Sequence, residues 1–290
     1  MTRKAEAVSH GAATIVNAIA TGKGAAVGVD LWTRARVQLT DKPGTIEGNI
    51  ASDPTEDPVL IEKTVSKVFE HFNFRERFGA KVRTWSNIPI ARGLKSSSVA
   101  GNAIALATVA ALDKSLDDPT ILNLSVDAAI EAKVTITGAF DDACASYFGG
   151  VMVTDNLKRE IVKRFEIAED LAVLFYVPAK KVYTSGSDVQ RMKRVASLVR
   201  IAYKEAVKGK YWLALTLNGL IYSSALGYNQ SIAADALMAG ALAAGLSGTG
   251  PSVTAIVPEE KIDNVKEAWQ AYEGDILQAR VNHEKAKVVG

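Results

Sequence analysis

The chain has 290 residues, 48% of them hydrophobic, which is enough for one large core or two closely packed ones. Its 34 Lys and Arg against 32 Asp and Glu leave a formal charge of +2, so the total charge gives no sign of a nucleic-acid partner. The single cysteine, Cys144, excludes an intramolecular disulfide and a multi-thiolate zinc site and fits a reducing, cytoplasmic compartment. No run reaches the ~18 apolar residues of a membrane span, and no signal peptide is expected, so the reading is of a soluble protein with no membrane partner.

Val27, Val29, Leu31, Ala35, Val37 and Leu39 alternate with polar neighbours and predict a strand over 25–40, closed by a turn at Asp41-Lys42-Pro43-Gly44 and followed by a strand over 45–50. Helical spacing of Val59, Leu60, Val65, Val68, Phe69 and Phe72 predicts a helix over 58–72, and a strand over 80–85 comes next. The loop 87–98 then runs into an alanine-rich stretch, 99–112, with the composition of a buried helix. A helix over 126–135, a loop over 138–150 and a strand over 151–154 complete the first half. The second half reads as a strand over 172–177, helices over 188–207, 211–227 and 232–244, a glycine-rich turn, a strand over 252–257, a helix over 259–272 and a last strand over 275–281. That order is α+β, and two domains, 1–160 and 161–290, are expected.

Chemistry is concentrated in three loops. In the first, Pro89 to Ser98, a glycine beside a run of hydroxyls opens a helix whose leading N–H groups lack internal partners, which is the make-up of an anion site. Arg92 and Lys95 add positive charge there, and a serine hydroxyl can cap the helix or complete a magnesium shell around phosphates. The plainer alternative is a serine cap beside a solvated lysine. In the second, 138–150, Asp141 and Asp142 stand among small and aromatic residues, where one carboxylate can orient or deprotonate a hydroxyl; Glu131 on the preceding helix can bind the metal. Capping of a helix that starts near Ala143 is the plainer alternative for the acids. The third, Ser247 to Ser252, is a tight glycine turn around Thr249 whose amides can face an anion, or simply a turn.

Taken in this order, the three loops resemble the motifs of the GHMP kinases, the superfamily named for galactokinase, homoserine kinase, mevalonate kinase and phosphomevalonate kinase. Pro89, Gly93, Leu94, Ser96 and Ser97 fall in register with that family's phosphate loop, and Ser247 to Ser252 matches its last motif. Lys95 stands where the family has glycine and Ser98 where alanine is common. Lysine lacks glycine's backbone freedom, so the reading expects a loop of different shape, with Lys95 lending its charge to the phosphates.

The opening Ser9 to Gly24, the Gly138-Ala-Phe-Asp-Asp-Ala143 run and Gly93-Leu-Lys-Ser-Ser-Ser98 look like the archaeal type of shikimate kinase over essentially the whole chain. This resemblance implies an N-terminal lobe of ribosomal-S5-like form, a ferredoxin-like C-terminal lobe, and a site between them. It implies ATP and Mg²⁺ as cofactors and transfer of the γ-phosphoryl group to the 3-hydroxyl of shikimate.

Carried over residue by residue, the phosphates fall to Gly93, Leu94, Lys95, Ser96, Ser97 and Ser98 with Pro89 and Arg92, and to Gly248, Thr249 and Gly250 of the last turn. Ser97 and Glu131 would hold the metal. Asp142, eleven positions after Glu131, is favoured as the base over Asp141, with Lys95 beside them. Thr14, Asn17, Thr21, Lys23, Asp142, Ser185 and Ser247 are the candidates for shikimate. Lys180 and Lys181 are as readily solvated charges, and Asn17 as readily fixes a turn. A kinase of homoserine or mevalonate, and a nucleotide sensor without catalysis, stand as rival functions, and a homodimer is left open.

Overall fold

The computed structural model of the protein describes residues 3–90, 93–179 and 188–289. Its first layer is a seven-stranded sheet whose spine is β1 (Lys4–Val16) and β2 (Lys23–Thr40), antiparallel to each other. On one side of β2 lie β4 (Gly79–Ser86) and then β3 (Ile46–Ile50), which is parallel to β4. Further along, β2 also pairs with β5 (Val151–Asp155), and β5 with β6 (Glu160–Phe165).

The first strand has no counterpart among the elements expected from the sequence, which begin at 25: β1 runs to Val16 and a single 3-10 turn, Ala18–Ala20, leads to β2 at Lys23. From Gly11 to Val16 every residue of β1 is buried, so there is no alternation to read. By contrast β2 alternates buried and solvent-facing side chains from Leu31 to Leu39, and its pattern was legible.

Helices α1 (Val59–His71), α2 (Ser96–Ala111) and α3 (Asp118–Glu131) form the next layer, followed by α4 (Phe140–Phe148). α2 is almost wholly buried between the sheet and α1 and α3, and its small residues allow the close approach: a methyl on Gly101 would lie 2.5 Å from Ser125 Oγ. α3 starts eight residues before the expected 126. The missed signal was a cap, since Asp117 Oδ1 accepts from the Thr120 N–H at 2.9 Å with a proline in the first turn.

The second layer is a four-stranded antiparallel sheet in the order β10 (Asp275–Arg280), β7 (Leu171–Val177), β9 (Val253–Pro258), β8 (Ala243–Leu246). Around it lie α5 (Val189–Arg194), α6 (Ala196–Val207), α7 (Tyr211–Leu226), α8 (Ser231–Met238) and α9 (Ile262–Trp269). The single helix expected over 188–207 is thus two, and that expected over 232–244 ends at Met238 and gives way to β8.

One apolar cluster, with Val27 and Val153 from the first sheet and Val173, Phe175, Val199 and Tyr222 from the second layer, joins the two halves. The first sheet ends with β6 at Phe165 and the second sheet begins with β7 at Leu171. The chain then returns: β11 (Lys287–Val288) pairs with β1, and Asn282 exchanges backbone bonds with Gly28 and Gly150. Among the described residues no helix is long and apolar enough to cross a membrane.

Candidate active site

A cavity of about 350 Å³ opens at the start of α2, lined by Gly93 to Ser98, Asp141, Asp142 and Thr249, so residues of all three predicted loops meet on it. The loops also touch directly. Ser247 Oγ donates to the Gly93 carbonyl at 2.9 Å, and Gly93, at φ +82°, has no room for a side chain because one would lie 2.9 Å from the carbonyl oxygens of Ser247 and Gly250.

Lys95 adopts the left-handed conformation, φ 63° and ψ 21°, at the N-cap of α2. The lysine thus takes a conformation that glycine would adopt freely, at a cost of about 1 kcal/mol. Its charge does not lie open for an anion alone, because Nζ is 3.0 Å from Asp142 Oδ2. No side chain caps α2, so its leading N–H groups face the cavity end with Ser96 and Ser97.

Asp141 and Asp142 occupy the first turn of α4, each 3% exposed. A polar net fixes that helix: Asn102 Nδ2 on α2 donates to the Ala143 carbonyl at 2.9 Å, and Ser9 Oγ on β1 lies 2.8 Å from Ser146 Oγ. Asp141 Oδ1 accepts from Asn156 Nδ2 at 2.7 Å, and burial, then the charge of Asp142 beside it, push its pKa up to about 7. Burial also raises Asp142, against the opposing pull of Lys95. The second oxygen of Asp142, Oδ1, has no hydrogen-bond partner among the described residues.

The remaining candidates divide. Thr14 is buried with its hydroxyl unpartnered, 3.6 Å from where a Gly248 methyl would sit, and the same methyl would lie 2.5 Å from Lys95 Nζ. Asn17 lines the cavity, but its side chain accepts the Ile19 N–H at 2.9 Å and so fixes the 3-10 turn. Ser98 lines the cavity while Pro89 lines an adjoining depression that shares Ser52, Ser86 and Ile90 with it.

Thr21 and Lys23 do not reach the cavity: Thr21 bonds the Lys23 backbone, and Lys23 reaches Asp155 at 3.7 Å and lies over the Tyr203 ring. Glu131 is not brought to Ser97 either. Its side chain, 43% exposed, is held by Lys67 at 2.8 Å and Lys63 at 3.1 Å, and those hydrogen bonds lower its pKa. Arg92, Ser185, Lys180 and Lys181 lie outside the described residues.

One residue of the site escaped the sequence reading. Asn156 follows the apolar run of β5 and reads as an ordinary turn residue, and nothing in its neighbours marks it as the partner of Asp141. The polar segment 47–58 also contributes to the site, since Ile50, Ser52, Glu56 and Asp57 line the cavity.

Comparison with known proteins decides the family. Residues 60–150 match the GHMP kinases N terminal domain and residues 230–274 the GHMP kinases C terminal domain. The chain is 45% identical over 288 residues to a shikimate kinase of Methanosarcina acetivorans, spanning 99% of this chain and 97% of that one. The chain belongs to the archaeal shikimate kinase family of GHMP kinases.

A shikimate kinase of Pyrococcus furiosus is 43% identical over 92% of this chain and 95% of its own. The GHMP kinase fold is matched by the homoserine kinase of Cytophaga hutchinsonii, TM-score 0.77 at 18% identity over 100% and 98% of the two chains. It is matched also by the mevalonate kinase of Methanococcus jannaschii, TM-score 0.74 at 17% identity over 96% and 98%. At that identity these two speak to the GHMP kinase architecture alone.

Proposed function

We propose that this protein is an ATP-dependent shikimate kinase that transfers the γ-phosphoryl group to the 3-hydroxyl of shikimate, giving shikimate 3-phosphate and ADP. The observation that carries the substrate is the near-full-length identity of 42–45% to archaeal proteins bearing that name.

The triphosphate lies against the uncapped start of α2, where the amides of the Gly93 to Ser98 loop and the hydroxyls of Ser96 and Ser97 meet negative charge. The apolar end of the cavity, with Ile50, Leu60, Ile104 and Ile136, takes the nucleobase. Thr249 of the last glycine turn also lines the cavity.

Mg²⁺ fits this site as a metal carried mainly by phosphate oxygens. Among the described residues no group of three or more His, Cys, Asp or Glu could form an all-protein cage, and Ser97 supplies a hard oxygen at the cavity end of α2. When bound, the metal neutralises the charge on the phosphates. Glu131 joins it only on leaving Lys63 and Lys67, and no step here depends on it.

Asp142 is the base. Its Oδ2 is anchored by Lys95, which leaves Oδ1 to take the proton of the substrate hydroxyl as that oxygen bonds to the γ-phosphorus and the bond from phosphorus to the bridging oxygen of ADP breaks. Burial raises its affinity for that proton. Thr14, beside Lys95, offers a hydroxyl for the ring hydroxyls of shikimate.

A coupled assay of ADP release with Mg·ATP and a panel of shikimate, homoserine, mevalonate and galactose tests the reading. ADP release with shikimate alone is expected. Turnover of another member of the panel would keep a GHMP kinase and remove shikimate; binding of ATP with no turnover on any of them would point to a nucleotide sensor.

A further inference from the structure

Asp141 is enclosed more completely than its neighbour. Gly24 on β2 is paired with Thr154 on β5, and a methyl on Gly24 would overlap the Asp141 carboxylate, so the absence of a side chain at 24 is what admits that group. On the same rung Thr154 Oγ1 donates to Asn156 Oδ1 at 2.7 Å. That bond fixes the amide the one way round that aims Nδ2 at Asp141 Oδ1, also 2.7 Å away. Thr154 is tied in turn by its carbonyl, which accepts from Tyr203 at 3.3 Å. The result is a fixed donor directed at a buried carboxylate that itself lines the cavity.

We propose that Asn156 is a positioning residue for phosphoryl transfer: oriented by Thr154 and seated on Asp141, it favours the ionised form of that carboxylate and fixes it in place beside Asp142, and so sets the pH above which Asp142 accepts the substrate proton. The inference rests on Asp142 being the base.

Its logic is one of charge. Two adjacent buried carboxylates share one cation, Lys95, and a proton entering the pair at either acid removes the negative charge that makes Asp142 basic. A donor on Asp141 favours its ionised form and delays that proton to lower pH. Cys144 on α4 and Tyr222 on α7 also feel the Asp141 charge, but burial, the larger cause in each, raises both above the neutral range. Asp155, next to Asn156, is paired with Lys23. Among the described residues the pair and its lysine are therefore the groups left to define the acid limb of activity.

The test is the pH dependence of kcat, between pH 5 and pH 9 by design (~5–9, the span in which such a limb is read), for the unmodified enzyme, Asn156→Leu, Thr154→Val and Asp142→Asn. Removing the donor should move the acid limb of Asn156→Leu up by about one pH unit, with turnover returning at the alkaline end and KM for ATP and shikimate unchanged. Thr154→Val, which only frees the amide, should move it the same way by less, and it decides the matter should Asn156→Leu fail to fold. A loss of turnover by the same factor at every pH, or an unmoved limb in both variants, overturns the role of Asn156 while an inactive Asp142→Asn keeps the base. Normal turnover in Asp142→Asn removes the base and this inference with it.

Discussion

Lys95 Nζ and Asp142 Oδ2, 3.0 Å apart, join the N-cap of the phosphate helix to the first turn of the helix that carries the acids. The lysine thereby does two things in one place. It brings a cation to the anion-binding end of α2, and it occupies one oxygen of Asp142 so that the other is the free one.

Asp142→Asn keeps the volume and the contact with Lys95 but cannot take a proton. Turnover is expected to fall by about 10²–10⁴-fold, the usual contribution of a positioned base, with ATP binding and melting temperature retained. Steady-state kinetics beside an ATP titration check this, and near-normal turnover would refute the base.

The buried acids also govern stability. With the Asp141 pKa at about 7 in the folded chain against 3.8 in the ordinary range, the folded state holds a proton between those values that the unfolded state has released. Stability contributed there is present below the lower value and is lost as pH rises toward the upper one. Asp141→Asn should therefore gain a few kcal/mol over the parent at ~pH 8 and much less at ~pH 5, measured by urea unfolding at each pH. An equal difference at both would show that ionisation of Asp141 carries no such cost.

Gly24→Ala introduces a methyl against the Asp141 carboxylate from within a strand that cannot move aside. A loss of about 1–3 kcal/mol is expected from overpacking, accompanied by a larger fall in turnover than in ATP affinity, because the displaced group adjoins the base rather than the phosphates. Thermal melting and kinetics together separate the two effects.

Ser247→Ala deletes the hydroxyl that holds the Gly93 carbonyl at 2.9 Å and ties the last glycine turn to the phosphate loop. The lost bond is worth roughly 1 kcal/mol, so KM for ATP should rise about fivefold with kcat little changed. A change confined to kcat would place Ser247 with the substrate instead.

The distribution of what was legible follows from the kind of information a sequence holds. Loops that bind through backbone groups, such as Gly93 to Ser98 and Ser247 to Ser252, declare themselves by glycines and hydroxyls, and the structure brings both to one cavity. Strands with one wet face, such as β2, declare themselves by alternation, while β1, buried on both faces over much of its length, does not. Long side chains are the hardest to place. Glu131 sits at an apt interval from Asp142 along the chain, but its carboxylate is directed to the two lysines of α1. Lys23 belongs to a suggestive stretch, yet the strand that carries it points it toward Asp155. Asn156 acts through the pairing of β2 with β5, a contact between residues more than a hundred positions apart, and no local pattern encodes that.

The same distance in sequence has a consequence for how the molecule is made. The outer edge of β1 is covered by Lys287 and Val288, and the Gly28–Gly150 junction by Asn282, so the sheet that holds Gly24 and Thr154 is completed by a segment more than a hundred positions further along the chain. Until that segment is in place, the N-terminal layer carries an open strand edge of the sort that invites pairing with a neighbouring chain. A chain cut before Asn282 should accordingly aggregate, and substitutions that weaken the pairing of β11 with β1 should be felt in yield before they are felt in catalysis.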